Sequence, residues 1–172
     1  MKRFSDKIRP FSLSLAFLMP VIFNSALLAE VVPEVLIAER KEKLGLNDIE
    51  RLTKEAEEAE DSGNYQKAID TLKQILEIET KELGPKHAEV SNTYNWIGTI
   101  YFRNGLYKKA EVYYLRALAI AEEVFGKDSK KVASILKYLG VTYNWLEQYE
   151  KAEVYYLRAL AIAEKVFGNE SE

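Results

Sequence analysis

The segment KAEVYYLRALAIAE at residues 109–122 recurs letter for letter at residues 151–164. The two copies lie 42 residues apart, and the same offset relates Tyr107 to Tyr149 and, in the other direction, to Tyr65. The chain therefore contains three related units in one frame, of which the first is the most divergent. A fixed period of roughly 20–50 residues is typical of architectures in which each unit buries its apolar face against the next.

Apolar residues within each unit recur at steps of three and four residues, which is the period of one face of an α-helix. In the second unit one such stripe runs from Val90 to Tyr101 and another from Ala110 to Ala121. We therefore expect two helices per unit and an all-α fold. The pattern predicts six helices, at about 48–61, 65–83, 87–104, 107–125, 129–146 and 149–167.

The predicted breaks between helices contain residues that suit helix ends. Glycine readily adopts the left-handed conformation that terminates many helices. Five glycines stand at the breaks: Gly63, Gly84, Gly105, Gly126 and Gly168. Asp128 and Ser129 suit the N-cap of the fifth helix, because their side-chain oxygens accept hydrogen bonds from free backbone N–H groups. His87 falls at the start of the third helix, and this position explains it without a metal or catalytic role.

Small residues occur where neighbouring helices must cross closely, and tyrosines alternate with them. The small residues are Gly98, Gly140, Ala110, Ala117, Ala152 and Ala159. The tyrosines that we expect to fill the gaps between them are Tyr101, Tyr114, Tyr143 and Tyr156.

The composition excludes several classes of function. Of the 172 residues 48% are apolar and 30% are charged, as in an ordinary globular domain. Cysteine is absent and histidine occurs once, so one copy of the chain supplies no disulfide, no cysteine-based zinc site and no thiol nucleophile. The formal charge of −3 gives no general attraction to nucleic acid. We expect no catalytic residue, metal, cofactor or nucleic-acid partner.

Residues 1–29 have the layout of an export signal. Four basic residues precede an almost wholly apolar run at residues 11–23, and cleavage is predicted after Ala29, with the bond after Ala26 as the alternative. The alternatives are an uncleaved anchor, because residues 11–29 are nearly long enough to span a bilayer, and an apolar tail without a targeting role. We expect an exported protein, periplasmic or secreted, or one that is anchored in the membrane by this segment if it is not cleaved. Residues 30–46 sustain neither a helical nor a strand period and are interpreted as a linker.

The second unit resembles the tetratricopeptide repeat, on the residues Tyr94-x-x-Ile97-Gly98-x-x-Tyr101 followed by Gly105, Tyr107, Ala110, Tyr114 and Ala117. Tyrosine stands in place of the tryptophan that usually opens this signature. The 42-residue period and the long second helix are similar to the kinesin-light-chain type of the repeat, which is also abundant in bacteria. The resemblance implies a short right-handed α-solenoid of three antiparallel helix pairs, at about 47–86, 87–128 and 129–172.

The resemblance also implies a function, because this family supplies non-catalytic binding scaffolds whose first helices line a groove for a peptide or a partner protein. The first-helix positions outside the core stripe predict the lining of that groove: Asn92, Asn95, Trp96, Thr99, Phe102, Arg103, Ser134, Lys137, Tyr138, Val141, Asn144 and Trp145. Trp96, Phe102, Tyr138 and Trp145 are of the type enriched at binding hot spots. The alternative for each ring is packing between adjacent first helices.

The last unit leads to a second hypothesis. Residues 151–164 are identical to residues 109–122, and no further helix is predicted after them. We therefore expect the apolar face that meets a following helix in the second unit to be exposed in the third. The alternatives to a groove-binding scaffold are a self-associating spacer, or a truncated fragment of a longer array that is accessory to an enzyme or a signalling complex.

Overall fold

The computed structural model describes residues 47–168, and within this range the chain forms six α-helices and no strand. The helices are α1 (47–61), α2 (Tyr65–Glu82), α3 (Ala88–Arg103), α4 (Tyr107–Phe125), α5 (Lys130–Trp145) and α6 (Tyr149–Gly168). The end of α1 and both ends of the other five helices lie within one residue of the positions that the apolar period predicts. The predicted signal or anchor at residues 1–29 and the predicted linker at residues 30–46 lie outside the described residues.

The turn inside each helix pair is closed by the same backbone hydrogen bonds. In the second pair the N–H of Leu106 donates to the carbonyl of Tyr101 and the N–H of Gly105 donates to that of Phe102, both at 2.9 Å. Gly105 has a φ of 71°, the left-handed conformation that this helix ending requires. In the third pair Glu147 stands at this position with a φ of 59°, which costs a residue with a side chain about 1–2 kcal/mol.

The predictions for the other helix ends are confirmed except at one glycine. Gly63, Gly84 and Gly126 also have positive φ values. Gly168 is instead the last residue of α6, because glycine permits the left-handed conformation without requiring it.

The N-caps of α3 and α5 come from their predicted positions. The Nδ1 atom of His87 accepts a hydrogen bond from the backbone N–H two residues later at 3.3 Å, which confirms its role at a helix start. The Oγ atom of Ser129 accepts one from the N–H three residues later at 3.3 Å. Asp128 forms an ion pair with Lys165 of α6 instead, and this hydrogen-bonded ammonium lowers the pKa of Asp128. Ser129 is thus the cap of α5.

Successive helices pack against each other, α2 on α3, α3 on α4, α4 on α5 and α5 on α6. Within the second pair Gly98 lies against a tyrosine ring, because a β-carbon at Gly98 would stand 2.8 Å from Cδ1 of Tyr114. In the third pair a β-carbon at Gly140 would stand 2.7 Å from Cδ1 of Tyr156. The prediction that small residues and tyrosines share the close crossings is confirmed at these two sites.

At one pair of equivalent positions, the contact between the first and second pairs is polar and that between the second and third pairs is apolar. Glu79 of α2 is buried and accepts a hydrogen bond from Oγ1 of Thr93 at 2.8 Å. The loss of solvent raises the pKa of Glu79 above its ordinary value. The residues 42 positions later, Ala121 and Ile135, are buried and apolar. No helix in the described range is long and apolar enough to cross a membrane.

Candidate functional site

The predicted first-helix residues differ in exposure between the second and third units. In α3 the only exposed member is Arg103, and the half-buried members are Asn92, Asn95, Trp96, Thr99 and Phe102. In α5 the exposed members are Ser134, Lys137, Asn144 and Trp145, and the half-buried members are Tyr138 and Val141. Most of the open surface that these residues form therefore belongs to the third unit.

Glu60 of α1 pairs with two of the predicted residues of α3. The Nε1 of Trp96 donates to Oε2 of Glu60 at 2.6 Å, and Arg103 forms an ion pair with the same carboxylate. The Glu60 side chain is only 12% exposed, and hydrogen bonds to a charged, partly desolvated acceptor are among the stronger ones in proteins. Trp96 and Arg103 therefore join α3 to α1 through polar groups that are already paired.

Tyr138 packs between the third and second units, whereas Thr99 is bonded within the second unit. The ring of Tyr138 stacks on that of Tyr114 with a centroid separation of 5.6 Å and an angle of 7° between the planes. The Tyr114 hydroxyl donates to Oγ1 of Thr99 at 3.2 Å. Burial raises the pKa of Tyr114 to about 12. Tyr138 is therefore a packing ring, but it packs against α4, a second helix, and not between adjacent first helices.

Phe102 and Trp145 are connected by a third ring, that of Tyr107, which is not among the predicted groove residues. The centroids of Phe102 and Tyr107 are 5.2 Å apart, and those of Tyr107 and Trp145 are 5.4 Å apart with the two planes at 21°. We call Phe102, Tyr107 and Trp145 the aromatic ladder. Trp145 is 58% exposed, so one part of the indole is held by Tyr107 while the rest faces solvent. Leu106 and Leu146 line a shallow pocket beside Tyr107.

The two asparagines of α3 do not present their carbonyl groups to solvent. The Oδ1 atoms of Asn92 and Asn95 are both buried and accept no hydrogen bond. The Nδ2 group of Asn92 donates to Oε2 of Glu89 at 3.1 Å.

Packing in the core raises the pKa values of two further tyrosines. The Tyr143 hydroxyl donates to Oε1 of Glu111 at 2.6 Å, and burial together with this carboxylate raises the pKa of Tyr143. Burial also raises the pKa of Tyr101. Residues 47–168 contain no group of three or more acidic or histidine side chains placed to hold a metal ion.

Glu60 and Tyr107 are the two contributors to this surface that sequence reasoning missed. Glu60 stands among acidic residues of α1, in a pattern typical of a solvated helix face. Tyr107 carries a clearer signal, because it recurs at Tyr65 and Tyr149, but recurrence alone does not separate a packing ring from a binding ring.

Comparison with known proteins agrees with this geometry. Residues 89–165 match the family model described as tetratricopeptide repeat. No curated protein matches the sequence. Among solved structures, BtubC (BKLC) from P. vanneervenii has 28% sequence identity and a TM-score of 0.60 over 64% of this chain. The chain spans 43% of the length of that protein.

Two more distant structures share the fold. The TPR domain of Arabidopsis FLU has 22% identity and a TM-score of 0.61, with 70% of this chain and 98% of that domain covered. A Podosopora anserina protein with kinesin light chain nearly identical TPR-like repeats has 19% identity and a TM-score of 0.60, with 69% and 56% covered. The fold indicates a protein–protein interaction module. The 42-residue units, glycine–tyrosine crossings and stacked helix pairs give the chain the all-α fold of tetratricopeptide repeats, and residues 89–165 are the part that matches the model of that family.

Proposed function

We propose that the chain is a non-catalytic scaffold that binds a peptide or a partner protein on the first-helix surface of its second and third units. The observation that carries the proposal is the exposure of Trp145, which is 58% exposed although it is a large aromatic residue on an ordered helix. Tyr107 holds one part of the indole in place, so little side-chain entropy is lost when a ligand contacts the rest.

The surroundings of Trp145 support the same use. Asn144 is exposed and supplies both a donor and an acceptor beside the indole. Leu106 is 40% exposed at the edge of the aromatic ladder and adds apolar area. An aromatic anchor within an apolar patch that has a polar rim is the usual composition of a binding hot spot.

We also propose that the scaffold is exported or is anchored in a membrane by its N-terminal segment. The support is the sequence of residues 1–29, with basic residues before an apolar run. N-terminal sequencing of the chain purified from fractionated source cells would distinguish a start at residue 30 from an intact anchor. A full-length chain in the soluble cytoplasmic fraction would contradict export.

A pull-down from source-cell extract tests the binding surface. The wild-type chain is compared with Trp145→Ala and with the control Phe125→Ala, which removes a 41% exposed ring at the other end of α4, about 27 Å from Tyr107. We expect partners that are lost with Trp145→Ala and retained with Phe125→Ala. An identical set of partners for all three proteins would contradict the proposed surface.

A further inference from the structure

The helices α4 and α6 contain the same 14-residue sequence in two different environments. Tyr114 is 1% exposed and Leu118 is 7% exposed on α4. The corresponding residues of α6, Tyr156 and Leu160, are 39% and 53% exposed. The difference arises because α5 packs on α4, whereas no described helix takes the equivalent position on α6. We call the α6 surface that contains Tyr149, Glu153, Tyr156 and Leu160 the α6 face.

Three side chains of α5 are bound by α4. Tyr138 stacks on Tyr114, the hydroxyl of Tyr143 donates to Glu111 at 2.6 Å, and Trp145 stacks on Tyr107. The three residues follow each other at positions i, i+5 and i+7 of α5. The α4–α5 contact is therefore an observed example of how this helix sequence binds another helix.

The α6 face carries the same three receiving groups in an accessible state. The residues 42 positions after Glu111 and Tyr107 are Glu153, which is exposed, and Tyr149, which is 60% exposed. Tyr156 is the residue 42 positions after Tyr114. Beside them, Lys137 of α5 and several side chains of α6 line an open and largely apolar groove of about 510 Å³, a volume within the range of ligand sites.

The helices of residues 47–168 do not offer a free copy of α5 for this groove. An aromatic residue followed by tyrosine at i+5 and another aromatic residue at i+7 occurs once in the 172 residues, at Tyr138, Tyr143 and Trp145, and α4 already binds these. On α1, the corresponding positions are Lys54, Ala59 and Asp61. A second copy stacked head to tail would therefore offer no donor to Glu153 at Ala59 and would place the carboxylate of Asp61 on the ring of Tyr149. This mismatch favours a different protein as the occupant.

We propose that the α6 face binds an amphipathic helix of a partner protein that resembles α5. The helix carries an aromatic residue that stacks on Tyr156, a tyrosine five residues later that donates to Glu153, and an aromatic residue seven residues after the first that stacks on Tyr149. Its apolar face covers Leu160. The α6 face shares no residue with the aromatic ladder, and this proposal does not depend on the proposed function of the ladder.

Titration of the full chain with a labelled synthetic peptide of residues 129–147 tests the recognition by fluorescence anisotropy. We expect saturable binding that weakens at least about tenfold with Leu160→Glu, because a charge would be buried in an apolar contact. The matched control is Val154→Glu on the same helix. Val154 is 64% exposed, and its counterpart Val112 stays 47% exposed beside α5, so this position lies off the binding face. A peptide in which Tyr138 and Trp145 are replaced by alanine should not bind.

An isolated peptide of this length can fail to form a helix, so a second experiment joins the same helix covalently to the chain. A second copy of residues 131–148 is joined after Glu172, which continues the 42-residue frame. Docking of this copy on the α6 face should raise the unfolding midpoint by about 4 °C or more. A control extension with alanine at the copied Tyr138 and Trp145 positions should leave the midpoint unchanged.

Three results would overturn the proposal. The first is no rise of the midpoint with the covalent copy. The second is equal peptide affinity for Leu160→Glu and Val154→Glu. The third is a dimer of the full chain in sedimentation that Leu160→Glu converts to a monomer, because the occupant would then be a second copy.

Discussion

The helices α4 and α6 show that the burial of a residue in a repeat protein is not determined by the sequence of its own helix alone. Residues 109–122 and 151–164 are identical, yet the tyrosine at the glycine crossing is buried in α4 and 39% exposed in α6. Local sequence determines the helix and its crossing with the preceding helix, since both tyrosines lie on a glycine. Burial on the other side depends on whether another helix is docked there.

The largest expected effect compares the two tyrosines directly. Tyr114→Ala should lower the free energy of unfolding by about 3–5 kcal/mol, because it leaves a cavity in a closed site between Gly98 and Tyr138. Tyr156→Ala removes the same atoms from an open site and should cost about 1 kcal/mol. Urea unfolding followed by circular dichroism measures both. Equal losses would show that the two rings are equally enclosed in solution.

The two glycine crossings give the next effect. A β-carbon at Gly98 meets a ring that Tyr138 prevents from moving, so Gly98→Ala should cost about 1–3 kcal/mol through overpacking. At Gly140 the ring of Tyr156 can move toward solvent, and the better helix propensity of alanine, about 1 kcal/mol, should offset the strain. Thermal unfolding of the two variants compares them. A larger loss for Gly140→Ala would contradict the difference in packing.

The smallest effect at neutral pH is a dependence of stability on alkaline pH, since it is absent below about pH 10. The pKa of Tyr114 is about 12 in the folded chain, above the value near 10 of an unfolded tyrosine. Below pH 10 the ring is neutral in both states, and between about pH 10 and 12 only the unfolded chain loses the proton, so stability falls as the pH rises.

Measuring the free energy of unfolding across this pH range tests whether Tyr114 causes the loss of stability. Tyr114→Phe should reduce the slope of stability against pH. Tyr149→Phe, at a 60% exposed ring, is the matched control. A slope that is the same in the wild type and in Tyr114→Phe would remove Tyr114 as its source.

Most of the fold could be predicted from the sequence because the repeat supplies three independent readings of one pattern. The apolar period predicted the five helices from Tyr65 onward to within one residue at each end, and glycine marked four of the helix ends. Gly168 was predicted wrongly as a left-handed terminator, and at Glu147 a side chain occupies the left-handed turn position that glycine fills in the second unit. Both cases arise because hydrogen bonding of the backbone decides the conformation, and residue type only changes its cost.

The surface could be predicted only in part, because it depends on contacts between units that are not identical. Trp96 pairs with Glu60, which lies 36 residues earlier in the divergent first unit. No repeat frame relates that pair to Tyr138, the residue that takes the place of Trp96 in the third unit and stacks on Tyr114 instead. Periodicity identified the face of the helix and left the partner of each ring open.

Solvent access to individual tyrosine rings tests the central difference between α4 and α6 most directly. The full chain is labelled with ¹³C in its tyrosine rings, and a soluble paramagnetic agent is added during NMR. Tyr114→Phe and Tyr156→Phe assign the two signals. We expect strong broadening of the Tyr156 signal, little broadening of the Tyr114 signal, and protection of Tyr156 when the peptide of residues 129–147 is added. Equal protection of Tyr114 and Tyr156 in the chain alone would contradict an open α6 face.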